Sequence, residues 1–83
     1  MSTTNQSLRV LRQRIRAHAS LPGPDERRRL RVAAGLPLAD VAEASGVSVA
    51  AVSAWERGTR EPTGEAREAY ARVLGVLREE TAA

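Results

Sequence analysis

The sequence predicts an all-α fold, in which four to five short helices form one compact domain and an extra basic amphipathic helix precedes them. Three observations lead there. Apolar residues recur every three to four positions within each segment, the spacing of one helix face. Glycines and prolines interrupt those segments at short intervals, at Pro22-Gly23-Pro24, Gly35, Gly46, Gly58 and Pro62. The core must also be built from Leu, Val and Ala, because the 83 residues include no Phe, one Trp and one Tyr, against sixteen Leu or Val. That palette suits close-packed helices better than a half-buried sheet. A chain of this length makes one domain at most, and 42% hydrophobic residues suffice for a small core.

Each element has its own signals. Residues 1–7 are polar and without period. From there Leu8, Leu11, Ile15 and Ala19 mark one face of a helix over about residues 7–19, with Arg9, Arg12, Arg14 and Arg16 elsewhere on the wheel. Leu21-Pro22-Gly23-Pro24 stops it, since prolines remove donors and bias their predecessors away from helix. The chain is thus read as an N-terminal helix and linker, residues 1–24, and a domain over residues 25–83. The next helix opens at Pro24 or Asp25 and runs to about Ala34, with Gly35 where a left-handed cap belongs. A third covers 38–45, with Leu38, Val41 and Ala42 on one face and Gly46 closing it. A fourth covers about 48–57, with Ser48 as N-cap and Gly58 at its end. After a loop over 59–64, a last helix covers about 65–79, striped by Ala66, Tyr70, Val73, Leu74 and Leu77. Gly75 is a point where that helix can break or bend.

Composition excludes several kinds of chemistry. With no cysteine, there are no disulfides, thiolate zinc sites or thiol nucleophiles. His18 is the only histidine, so an imidazole metal site or catalytic triad has no second member, and His18 is given no role. No enzyme activity, metal, cofactor or small-molecule ligand is expected. No apolar run approaches the ~20 residues of a membrane span, and Met1 to Ser7 is unlike a signal peptide. A cytoplasmic, nucleoid-associated chain is the expectation. Charge points towards a partner. All thirteen basic residues are Arg; residues 1–35 hold eight of them against Asp25 and Glu26, a balance of +6. Residues 36–83 hold five against eight acids, a balance of −3. Such asymmetry suits a polyanion, with nucleic acid the first candidate.

The segment from Leu38 to Trp55 reads as one unit. A short helix closes at Gly46, and a second begins at Ser48. Two helices joined so tightly meet at a steep angle and need a small residue at closest approach, here Ala42. The turn needs positive φ, which Gly46 supplies without steric cost. Val47, Val52 and Trp55 then fill the angle. This is the helix-turn-helix arrangement, whose second helix can lie in a DNA major groove.

The run Arg31…Gly35-Leu36…Val41-Ala42…Gly46-Val47-Ser48…Val52-Ser53…Trp55-Glu56-Arg57-Gly58…Pro62 resembles the phage repressor/Cro (XRE-type) regulators over about residues 25–77. The resemblance implies a lambda-repressor-like domain and double-stranded DNA as partner. It implies a homodimer, formed either in solution or only on DNA, and a small repressor in a phage or prophage setting. It places Ser48, Val49, Ala50, Ser53 and Ala54 towards the bases, and Arg57 and Arg60 on phosphates. It also pairs Arg31 with Glu56, an ion pair that braces the recognition helix. Arg27 and Arg28, unfavourable at a helix N-terminus, are further phosphate candidates; the alternative for Arg27 is a local pair with Asp25 or Glu26. The chain departs from the family in two places. Its base-facing positions carry methyl groups and short hydroxyls rather than Gln, Asn, Arg or Lys, and Pro37-Leu38 stands where a capping residue and a phosphate-binding amide are usual. Three roles are open for Leu8, Leu11 and Ile15 with Arg9, Arg12 and Arg16: docking on the chain's own domain, a dimer seam, or a basic arm on DNA. Leu77 and Val76 offer a second place for a two-fold contact. The alternative functions are an antitoxin-like protein-interaction adaptor and a DNA-bending or excisive architectural protein.

Overall fold

The computed structural model of the protein describes residues 7–12, 15 and 21–82, and shows helices and no strand among them. The first helix, α1, is described at residues 7–12 and 15. Then follow α2 (Pro24–Ala33), α3 (Leu38–Ser45), α4 (Val49–Arg57) and α5 (Gly64–Thr81).

Local chemistry sets these boundaries. Pro24 opens α2 directly after Gly23, where its fixed φ and missing N–H do no harm. Asp25 and Glu26 then sit in the first turn, against the positive end of the helix dipole. Beyond α2 the chain reverses at Gly35, φ +73°, and the Leu36 N–H returns to the Arg31 carbonyl at 3.2 Å. α3 ends in the same way. Gly46 takes φ +71°, and the Val47 N–H bonds to the Ala42 carbonyl at 3.0 Å. Ser48 caps α4, its Oγ accepting the Ala51 N–H at 3.1 Å. α5 continues through Gly75 to Thr81. Leu74 and Leu77 are buried on either side of that glycine, and their burial outweighs the ~1 kcal/mol that glycine costs relative to alanine.

α2 and α3 each pack on both α4 and α5. Leu30, Val41, Ala42, Val52, Trp55, Tyr70, Leu74 and Leu77 form one core. At its centre the Trp55 and Tyr70 rings stand 4.7 Å apart and tilted by 48°, a favourable arrangement for two quadrupoles. Leu77 belongs to this core, which removes it from a two-fold contact; Val76 next to it is exposed.

Of the three roles open for the N-terminal helix, burial on the chain's own domain is not seen for the aliphatics described. Leu8, Leu11 and Ile15 are each about half exposed, at 50, 53 and 58%. The core does not need them, because α5 closes it with Tyr70, Ala71, Leu74 and Leu77. Arg9 and Arg12 are exposed as well. Arg14, Arg16, His18 and Ala19 lie outside the described residues.

Candidate nucleic-acid interface

α4 has an inner and an outer side, and the inner one is held from α2. Val52 and Trp55 anchor it in the core. Arg27 and Arg31, four residues apart and so on one face of α2, bind it at its C-terminal end. The Arg31 Nε donates to Glu56 Oε2 at 2.7 Å and its Nη2 to Oε1 at 2.9 Å. Its Nη1 donates to the Leu36 carbonyl at 2.8 Å, tying the end of α2 into the same cluster. The hydrogen bonds from Arg31 to Glu56 raise the guanidinium above its ordinary pKa, against the opposing effect of burial. A two-pronged pair of this kind fixes direction as well as distance.

Arg27 corrects its assignment to phosphate. It is 3% exposed, and its guanidinium makes four hydrogen bonds within the fold. Nε donates to the Pro22 carbonyl at 2.7 Å, and Nη1 to the Trp55 carbonyl at 3.0 Å. Nη1 and Nη2 also reach Glu61 Oε1 at 3.2 Å and Oε2 at 2.9 Å. Those bonds hold the Glu61 carboxyl below its usual range. The partner is thus Glu61, beyond α4, rather than Asp25 or Glu26. Glu26 instead pairs with Arg29, whose hydrogen bonds lower its carboxyl in turn.

Sequence reasoning missed the role of Arg27. The signal available was its position one turn before Arg31, with an acid just ahead of Pro62. Nothing local says that the loop after α4 returns to α2.

The outer side carries the residues expected at bases and phosphates, with one correction. Val49 is 45% exposed, and Ser48 and Ala50 are exposed beside it. Ser53 is half-buried, and its Oγ accepts a long bond of 3.4 Å from Arg57 Nε. Ala54 does not face outwards: it is 6% exposed. The left-handed Gly58 turns the chain back, so that the Thr59 N–H and hydroxyl both bond to the Ala54 carbonyl, at 3.1 and 3.3 Å. Arg57 and Arg60, which follow the outer face, are exposed, as is Arg28 on α2.

A family model described as helix-turn-helix matches residues 28–80. The chain belongs to the XRE-type helix-turn-helix family. The match takes in α3, α4 and most of α2 and α5, so the core from Leu30 to Leu77 lies within the family domain. No curated protein and no solved structure gives a match. As an XRE-type domain, the protein is a DNA-binding helix-turn-helix regulator, and the family is a regulatory rather than an enzymatic one. In this helix-turn-helix α3 is the scaffold, residues 46–48 are the turn, and α4 is the second helix. No described helix is long and apolar enough to cross a membrane.

Proposed function

We propose that the protein is a sequence-specific double-stranded-DNA repressor that occludes a promoter, with residues 48–57 as its recognition helix. One observation carries this reading. The inner side of α4 is locked to α2 by Arg27 and Arg31, while its outer side is open and ends in the exposed cations Arg57 and Arg60. Ser48, Val49, Ala50 and Ser53 meet the bases; Arg57, Arg60 and Arg28 meet phosphates and set the position rather than the sequence. Two copies then sit on half-sites one helical turn, about 34–36 Å, apart. The N-terminal helix acts apart from the domain, although the expected boundary at residue 24 falls inside that domain, since Leu21 packs on the core and the Pro22 carbonyl accepts from Arg27. The protein works in the cytoplasm on the nucleoid.

The test is an Arg57→Ala/Arg60→Ala double variant, titrated against duplex DNA by fluorescence anisotropy across a salt series. Both side chains are exposed, so the melting temperature should hold. The slope of log K against log salt should fall by about 2, since each phosphate that an arginine neutralises contributes roughly 0.9. An unchanged slope and affinity would remove these two residues from the DNA backbone and refute their role in positioning the domain.

A second reading as a protein-interaction adaptor is favoured by the exposed Leu8, Leu11 and Ile15 of α1, a face that two copies can also share. Analytical ultracentrifugation with and without duplex separates the cases. A dimer that Leu11→Arg dissolves assigns that face to self-association.

A further inference from the structure

The outer side of α4 is chemically narrow. Ser48 Oγ already accepts the Ala51 N–H at 3.1 Å. Ser53 is half-buried and accepts from Arg57, and Ala54 is buried. Ser48 keeps one O–H donor, and the other exposed groups at the start of the helix are the methyls of Val49 and Ala50. Neither side chain has a hydrogen-bonding atom. Pressed on a guanine, an adenine or an unmodified cytosine, they would strip water from a donor or acceptor and offer nothing in return. One group on a base edge in the major groove is apolar, the methyl at pyrimidine C5.

We propose that Val49 and Ala50 read C5-methylated pyrimidines, so that the protein recognises thymine through its methyl group and accepts 5-methylcytosine, which presents the same methyl, in its place. The inference rests on the reading of α4 as the recognition helix, and it names what that helix reads. Affinity and discrimination then come from different residues: Arg57, Arg60 and Arg28 attract any duplex, and the two apolar side chains sort duplexes by where methyls lie. Removing one methyl from such a site lowers affinity about fourfold, and removing two about fifteenfold, from the usual value of burying one carbon. Cytosine methylation creates binding sites for such a protein instead of blocking them.

The experiment uses the full chain and random duplex libraries at about physiological salt, one synthesised with thymine and the other with uracil. The best duplex is then remade with uracil at each thymine in turn, and with cytosine or 5-methylcytosine at the same places. The expected result is a roughly fourfold loss at each contacted thymine on changing to uracil, and a similar gain from cytosine to 5-methylcytosine. Val49→Ser/Ala50→Ser, a change of two exposed side chains, should bring both ratios close to one. If thymine and uracil duplexes are bound equally, the methyl reading is overturned while DNA binding stands. Ratios that persist in the double variant also overturn it, because DNA shape would then be the source. If neither library is bound, α4 is not a DNA-reading helix and both readings fall.

Discussion

Replacing Arg27 by Met should destabilise the fold by about 3 kcal/mol without touching DNA. Methionine keeps most of the aliphatic stem and removes every donor. Two carbonyl oxygens, those of Pro22 and Trp55, lose a charged partner. A hydrogen bond to a charged group contributes about 1.5–3 kcal/mol where it is buried, as at Trp55, and about 1 kcal/mol where water can replace it, as beside the half-buried Pro22. Glu61 adds little, because its side chain is 54% exposed and rehydrates; an exposed pair is worth under about 1 kcal/mol. Glu61→Gln, the matched control, should therefore cost no more than about 1 kcal/mol. Arg27→Lys, which keeps the charge but not the planar fork, should fall between the two. Urea titration and thermal melting followed by circular dichroism read these values. A loss of about 3 kcal/mol in a domain of this size lowers the melting temperature by roughly 12–24 °C. Equal losses for Arg27→Met and Glu61→Gln, or a loss under about 1 kcal/mol for Arg27→Met, would show that the carbonyl bonds carry no weight. A salt slope of DNA binding reduced by about 1, with stability intact, would return Arg27 to a phosphate.

Two more outcomes follow from the backbone and the core. Gly46 and Gly58 both take positive φ, at +71° and +74°, so alanine at either should cost about 1–2 kcal/mol. Space around Gly46 is open, whereas a Cβ at Gly58 would stand 3.2 Å from Pro24 Cγ; Gly58→Ala should be the worse of the two in urea midpoint, and equal midpoints would refute the Pro24 contact. Burial pushes the Tyr70 phenol up from 10 to about 12. The folded state therefore resists ionisation that the unfolded chain undergoes, and this contribution is complete below pH 10 and lost between about pH 10 and 12. Stability measured from pH 8 to 12 should fall by up to about 2–3 kcal/mol in that window. Tyr70→Phe should flatten the fall, at little cost near neutral pH, because the hydroxyl has no hydrogen-bond partner among the described residues.

What was legible in the sequence was whatever local chemistry decides. Gly35, Gly46 and Gly58 each mark a left-handed reversal, and a residue without Cβ is the cheap way to make one. Pro24 and Ser48 fix helix starts by the same kind of short-range argument. The stripe on α5 places Tyr70 and Leu74 in the core with Trp55, since apolar period alone determines which face turns inwards. The misreadings concern contacts that depend on where distant chain returns. Arg27 meets Glu61 across 34 residues, and no helical wheel contains that loop. Ala54 lies next to the half-buried Ala51 side of α4 and is buried with it, and the reversal at Gly58 that brings Thr59 back to the Ala54 carbonyl is not visible on a helical wheel. The exposure of Leu8, Leu11 and Ile15 has a similar origin: an amphipathic pattern says that a face wants cover, and says nothing about whether the neighbouring core is already closed.

The two arginine clamps divide labour within α4. Val52, Trp55 and Glu56 carry the attachment of the helix, and Val49, Ala50 and Ser53 carry none of those bonds to α2. Changes at the second set therefore leave the fold standing, so a lineage can drift through new DNA preferences without passing through unfolded intermediates. A library randomised at positions 49, 50 and 53 should yield mostly folded proteins, making this small domain a tolerant starting point for retargeting.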